Sequence, residues 1–216
     1  MVDARARVPR VPRRVRGVAR YNQLLDSADM LLRDREPGEL VIQDVAAHTG
    51  VPLASVYHYF PSNVALIVGV AQRYLAEVEA RLAEPFDHAA LGSWTDIVRG
   101  QAQRSYQFFI DRPVAAKLLL GGDGIAQVRS LDQEANERVA RRYVGVYRRH
   151  FVLPDDPSLA DRCTIALTVM IAVESLSYSR HGKVTPELAE EGVQARLAYL
   201  KLYLPERAPK RPKPLP

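Results

Sequence analysis

The chain has a single cysteine, Cys163, so no disulfide can form within it and no cysteine-rich metal site can be built. Its five histidines, His48, His58, His88, His150 and His181, are scattered, and none stands four residues from another histidine or from the cysteine. There is no glycine-rich phosphate loop and no nucleophile motif. These absences argue against an enzyme, and no cofactor or metal is expected. No apolar run approaches the ~20 residues that a membrane-spanning helix needs. The longest, 165–173, contains Thr168. The basic N-terminus is not followed by an apolar stretch, so it is not a secretory signal; a cytoplasmic protein with no membrane partner is expected. No segment alternates with period two for long enough to make a strand.

Positive charge is unevenly spread. The net charge is +5, yet no Lys or Arg occurs between Arg35 and Arg73. Residues 1–20 instead hold Arg5, Arg7, Arg10, Arg13, Arg14, Arg16 and Arg20 against one acid, Asp3. Residues 207–216 hold Arg207, Lys210, Arg211 and Lys213 with no acid. Pro9, Pro12, Pro209, Pro212, Pro214 and Pro216 punctuate these ends, which predicts non-helical, disordered arms over 1–17 and 206–216. Basic arms suit nucleic acid; a solubilising tail is the alternative reading for each.

Between the arms the pattern is all-α, with about nine helices. A first helix over 18–33 buries Leu24, Leu25, Ala28, Leu31 and Leu32 and stops at Arg35-Glu36-Pro37-Gly38. A fourth, over 62–83, places Ile67, Ala71, Tyr74, Val78 and Leu82 on one face and ends before Pro85. A fifth covers 91–111. Pro113 opens a sixth, which the glycines at 121–124 close, and a seventh follows. The Pro154-Asp155-Asp156-Pro157 turn precedes an eighth helix with Ser158 as its cap. A ninth starts after Thr185-Pro186 and ends by Leu204.

The second and third helices form the most informative stretch. Val41, Ile42, Val45 and Ala46 give one short helix an apolar face, Gly50 stops it, and Pro52 starts the next, with Val56, Tyr57 and Phe60 at helical spacing. Two short helices across a tight turn containing Gly form a helix-turn-helix, which lays its second helix in the DNA major groove. The run AAHTGVPLASVYHYFPSNVAL resembles the DNA-binding signature of TetR-type transcriptional regulators. The matching parts are Gly50-Val51, Tyr57-His58-Tyr59-Phe60 and Ser62-Asn63-Val64-Ala65-Leu66, and the likeness covers roughly residues 18–70. It implies a DNA-binding domain over 18–64 and a ligand-binding and dimerisation domain over 65–205.

On this resemblance, Gln43, Leu53, Ala54, Ser55 and Tyr57 match base-reading or groove-facing positions, and Tyr59 and Asn63 match phosphate-contacting ones. Their chemistry agrees in part: Gln43 can pair with adenine, Ser55 with either base type, and Leu53 or Ala54 can pack on a thymine methyl. His58 lies on the same outer face. Two departures stand out. The family usually has Lys where Asn63 stands, and Ser or Thr capping the second helix where Leu40-Val41 stand. With no cation in the hairpin, phosphate attraction must come from elsewhere. The N-terminal arm, with Arg14 and Arg16 nearest the first helix, is the candidate source.

The rest of the chain is expected to bind a small-molecule inducer of unknown identity between the fifth, seventh and eighth helices. Trp94, Tyr106, Phe109, Tyr143, Tyr147, Met170, Glu174 and Tyr178 are the candidate ligand residues, core packing being the alternative for each aromatic. The eighth helix is apolar on every side over 165–173, so one face needs a partner beyond the core. With Val193, Leu197, Leu200 and Leu204 on the ninth, it suggests a four-helix seam in a homodimer. The alternative is that the eighth is simply the central helix of a monomer. The expected function is a homodimeric repressor that leaves a palindromic double-stranded DNA operator on binding its inducer. The competing reading is a helical dimeric ligand-binding or adaptor protein that has lost operator binding.

Overall fold

A computed structural model describes residues 8–121 and 125–215; Arg5 and Arg7 of the arm and Gly122–Gly124 lie outside the described residues. The described chain is helical: α1 Val15–Leu32, α2 Ile42–Thr49, α3 Leu53–Tyr59, α4 Asn63–Leu82, α5 Trp94–Asp111, α6 Pro113–Leu120, α7 Ala126–His150, α8 Leu159–His181 and α9 Pro186–Leu200. Among the described residues no single helix is long and apolar enough to cross a membrane.

The boundaries follow local chemistry. α1 begins at Val15 instead of 18, as soon as the prolines end. Gly50, at φ 68°, lets α2 close in the left-handed conformation. The Ser62 hydroxyl accepts from Ala65 N, so α4 starts one residue after its cap. Ser93 and Asp96 form a capping box that starts α5 at Trp94, not at 91. Ser158 holds the cap position of α8, but its side chain makes no cap bond; the Asp156 carboxylate accepts Ser158 N instead. α9 ends at Leu200, four residues early, in a run of turns.

Leu24, Leu25, Ala28 and Leu32 of α1, Val45 of α2, Val56 of α3 and Phe60 make the core of the N-terminal three-helix unit, with Leu66 and Val70 of α4 completing it. α4 continues into the larger bundle, where it packs on α5, α6 and α7. A second tie between the two parts is Lys117 of α6. Its ammonium donates to the carbonyls of Leu32 at 3.1 Å and Arg35 at 2.9 Å, capping the open C-terminal end of α1.

Two expectations about packing are overturned. The stripe Val193, Leu197, Leu200 and Leu204 faces this chain's own core, where Leu200 is 0% exposed. The apolar surface left outside lies on α8 instead: Ile165, Thr168, Ala172 and Leu176 stand at helical spacing and are exposed, with Val169 and Val173 half-exposed beside them. Nor is the C-terminal segment a free tail. Pro209 to Leu215 run back along the end of α7: Val152 N donates to Pro209 O, Arg211 N to His150 O and Leu215 N to Arg149 O. This strap covers a stacked histidine pair, His88 and His150, whose Nδ1 atoms are 2.9 Å apart.

Candidate nucleic-acid interface and ligand site

α3 is pinned from behind and bare in front. Val56 and Phe60 are fully buried, and Phe60 stacks on Tyr21 of α1. This turns Leu53, Ala54, Ser55, Tyr57 and His58 outward, all exposed. Gln43 of α2 stands on the same surface, its amide 3.4 Å from the Tyr57 hydroxyl. Tyr59 is half-buried, edge-on to both Tyr21 and His58.

Asn63 does a job that sequence reasoning missed. Its side-chain oxygen accepts Ile42 N at 3.0 Å, capping α2 from the first residue of α4. Val41, at the cap position itself, has no side chain able to do so. The two departures from the usual pattern, no Lys at 63 and no cap at 41, therefore compensate one another structurally. Asn63 is otherwise an exposed residue.

The cations come from α1 and the segment before it. Arg10 N donates to Tyr59 O at 2.8 Å, which fastens the arm to the end of α3. Pro12 packs on Gly17 so closely that a Cβ there would stand 2.9 Å from the Pro12 Cβ. Arg16 and Arg20 then line one cleft with Ser55 and Tyr59, and Arg13 and Arg14 stand exposed just before it. Residues 8–14 are thus held against the helix-turn-helix. Arg20, absent from the sequence-based candidates, joins Arg16; one helical turn of spacing was the signal for it.

The candidate ligand residues divide. Trp94, Tyr143 and Tyr147 are fully buried and belong to the core. The Trp94 indole donates to Pro205 O and the Tyr143 hydroxyl to Leu82 O, each at 2.8 Å. Burial pushes the Tyr143 phenol up to about 12 and raises Tyr147 as well. Phe109 and Met170 line a cavity of about 40 Å³ shared by α4, α5, α6, α7 and α8, with Glu79, Gln101, Ser105, Asp132 and Asn136 as its polar groups. That holds a few waters but no drug-sized molecule. Tyr106 and Glu174 line a separate groove of about 450 Å³ between α5 and α9. Tyr178 lines a third space, a polar cleft beside Lys117 between α1, α4, α6 and α8.

Sequence reasoning also passed over Arg196. It sits on the inward face of α9, 1% exposed, and donates to Gln101 Oε1 at 2.5 Å with the Tyr147 hydroxyl at 3.4 Å. Among the described residues Arg196 Nε, Gln101 Nε2 and Glu174 Oε2 are buried without a hydrogen-bond partner. Burial drives the Glu174 carboxyl up to about 7 against the through-space pull of Arg196, and drives Asp132 up to about 6.

The signature of bacterial regulatory proteins of the tetR family matches residues 24–70, which span the second half of α1, all of α2 and α3, and the start of α4. Residues 24–70 thus carry a TetR-type DNA-binding signature. Two uncharacterised HTH-type transcriptional regulators of Mycobacterium tuberculosis, from strains CDC 1551 and H37Rv, are each 29% identical over 141 residues, 64% of this chain and 69% of theirs. A TetR-family regulator from Streptomyces coelicolor shares the fold with a TM-score of 0.66 at 20% identity, over 86% of this chain and 99% of that one. SmeT, the repressor of the SmeDEF multidrug efflux pump of Stenotrophomonas maltophilia, shares it with a TM-score of 0.61 at 14% identity, over 91% and 97%. The matched signature and the curated relatives alike point to DNA binding and the regulation of transcription.

Proposed function

We propose that this protein is a homodimeric repressor of the TetR type that works in the cytoplasm and is released from a palindromic operator by a small molecule. The arginines gathered at the recognition helix carry this reading: Arg16 and Arg20 share a cleft with Ser55, and Arg13 and Arg14 flank it. They supply the phosphate attraction that α2 and α3 lack. Residues 18–64 act as the DNA-binding unit, with the arm before it, and 65–205 as the ligand-binding and dimerisation unit. Base reading falls to Gln43, Leu53, Ala54, Ser55, Tyr57 and His58; Tyr59, Asn63, Arg14 and Arg16 hold phosphates.

Dimerisation uses the exposed apolar stripe of α8, with the outward residues of α9 beside it, and sets the two α3 helices about one DNA turn apart, roughly 34–36 Å. A ligand favouring a different packing of the bundle shifts the population toward dimers of the wrong spacing. Repression is supported by the likeness to SmeT, itself a repressor. The competing reading, a dimer that no longer binds an operator, draws on the absence of Lys and Arg between Arg35 and Arg73. A gel shift with DNA from upstream of the protein's own gene separates the two. A discrete complex at sub-micromolar protein that resists non-specific competitor supports the repressor; retardation erased by competitor supports the adaptor.

A further inference from the structure

The groove between α5 and α9 ends on a carboxyl group that nothing else in the described chain serves. Glu174 of α8 is 2% exposed and lines this groove, and its Oε2 has no hydrogen-bond partner among the described residues. Arg196 acts on it through space, yet is bonded to Gln101 and Tyr147 and forms no ion pair with it. The walls are Gly100, Ala102, Tyr106, Ala189 and Val193, largely apolar. At the rim Arg99 and Glu190, both solvent-exposed, pair at 3.1 Å from α5 to α9. No lining residue belongs to the exposed stripe of α8. The volume, about 450 Å³, is that of a small-molecule site.

We infer that this groove binds an organic amine, an apolar body with one protonated nitrogen placed against Glu174. The chemistry of the lone carboxylate selects that class. Ionised, it accepts hydrogen bonds and donates none. A buried carboxylate without a partner is costly, and a cation that also donates relieves both its desolvation and its missing bond. A neutral alcohol supplies only the bond, and an acid is repelled. The assignment rests on the reading that the C-terminal bundle takes a small molecule, and adds which kind and where.

The test is calorimetric titration of the full chain at pH 8 with three matched probes: 4-phenylbutylamine, 4-phenylbutan-1-ol and 4-phenylbutyrate. The amine is expected to bind at least tenfold more tightly than the alcohol, and the acid not at all. In Glu174→Gln the amine should lose about tenfold while the alcohol is unchanged. Because that variant alters a buried group, the wild-type chain is also titrated at pH 5.5. There Glu174 is protonated while the amine keeps its charge, so the amine alone should weaken at least tenfold. Equal affinities for the three probes, no binding of the amine, or an amine affinity indifferent to both pH and Glu174→Gln overturns the assignment. Gel shifts on the same preparations keep the two readings apart. DNA binding without amine binding sinks only this site, whereas amine binding without DNA binding sinks only the repressor.

Discussion

The side chain of Asn63 closes the helix that Val41 leaves open: its Oδ1 accepts Ile42 N at 3.0 Å, across the whole helix-turn-helix. Replacing Asn63 by Ala should cost about 1 kcal/mol, the usual worth of an N-cap, and should do so without touching the α3 surface. Asn63→Lys is the sharper case. It adds a cation facing DNA and removes the cap, so operator affinity should rise while the thermal midpoint falls. Melting curves and gel shifts on both variants check this.

Substitutions test the N-terminal arm more cleanly than truncation does. Cutting at residue 16 would remove the first turn of α1, which starts at Val15. Arg13, Arg14 and Arg16 changed together to Ala leave the helix in place. The slope of log affinity against log salt should fall by about 0.9 for each phosphate that a chain no longer neutralises. Preference for the operator over unrelated DNA should persist, because base reading lies on α3. An unchanged salt slope would remove the arginines from the interface.

For dimerisation, Ile165→Glu with Ala172→Glu places two carboxylates on the exposed stripe of α8. The double variant should sediment as a folded monomer, since charge buried without a partner at an interface costs several kcal/mol. Leu200→Asp should behave differently. Leu200 is fully buried inside one chain, so that change should lower helix content and not merely separate protomers. Sedimentation and circular dichroism together distinguish the two outcomes.

Stability should fall as pH rises through the weakly acidic range. Glu174 and Asp132 have folded-state values raised by burial, to about 7 and about 6, from 4.5 and 3.8. The native state therefore holds protons that the unfolded chain has released, and the stability this confers is present at low pH and lost toward pH 7. For Glu174 the span corresponds to on the order of 3 kcal/mol. Glu174→Gln should flatten the decline between about pH 4.5 and 7 in urea melts, and Asp132→Asn should flatten it between about pH 4 and 6. A slope indifferent to both changes would refute this account.

Much of the architecture is written in local signals. Gly50, Pro37-Gly38, Pro85, Pro113 and Pro154-Asp155-Asp156-Pro157 each mark a real break, because stops depend on the conformational limits of those residues alone. What the sequence hides is long-range. Periodicity shows that Val193, Leu197 and Leu200 share a face of α9, but not whether that face meets its own bundle or a second copy. Arg196 lies in the same run, and its burial rests on Gln101, ninety-five residues earlier in the chain. The Asn63 cap spans twenty-one residues. Proline-rich composition suggests a loose tail, yet Pro209 to Leu215 are held by backbone bonds to the end of α7 that composition cannot foresee. Of the eight residues proposed for the ligand, three are core because aromatic spacing looks the same around a cavity as inside a packed centre.

α1 is gripped at both ends. Lys117 holds its last carbonyl, that of Leu32, and Pro12 packs on Gly17 in its opening turn, while Tyr59 holds the segment before it through Arg10. A helix of 18 residues is about 27 Å long and stiff over that distance. Such a rod converts angle into travel: a tilt of about 5° at the Lys117 end would carry the arginine end by about 2 Å. Hydrogen bonds to phosphate tolerate far less than that. A stiff first helix held this way would carry any tilt imposed at α6 to the guanidinium groups beside the recognition helix.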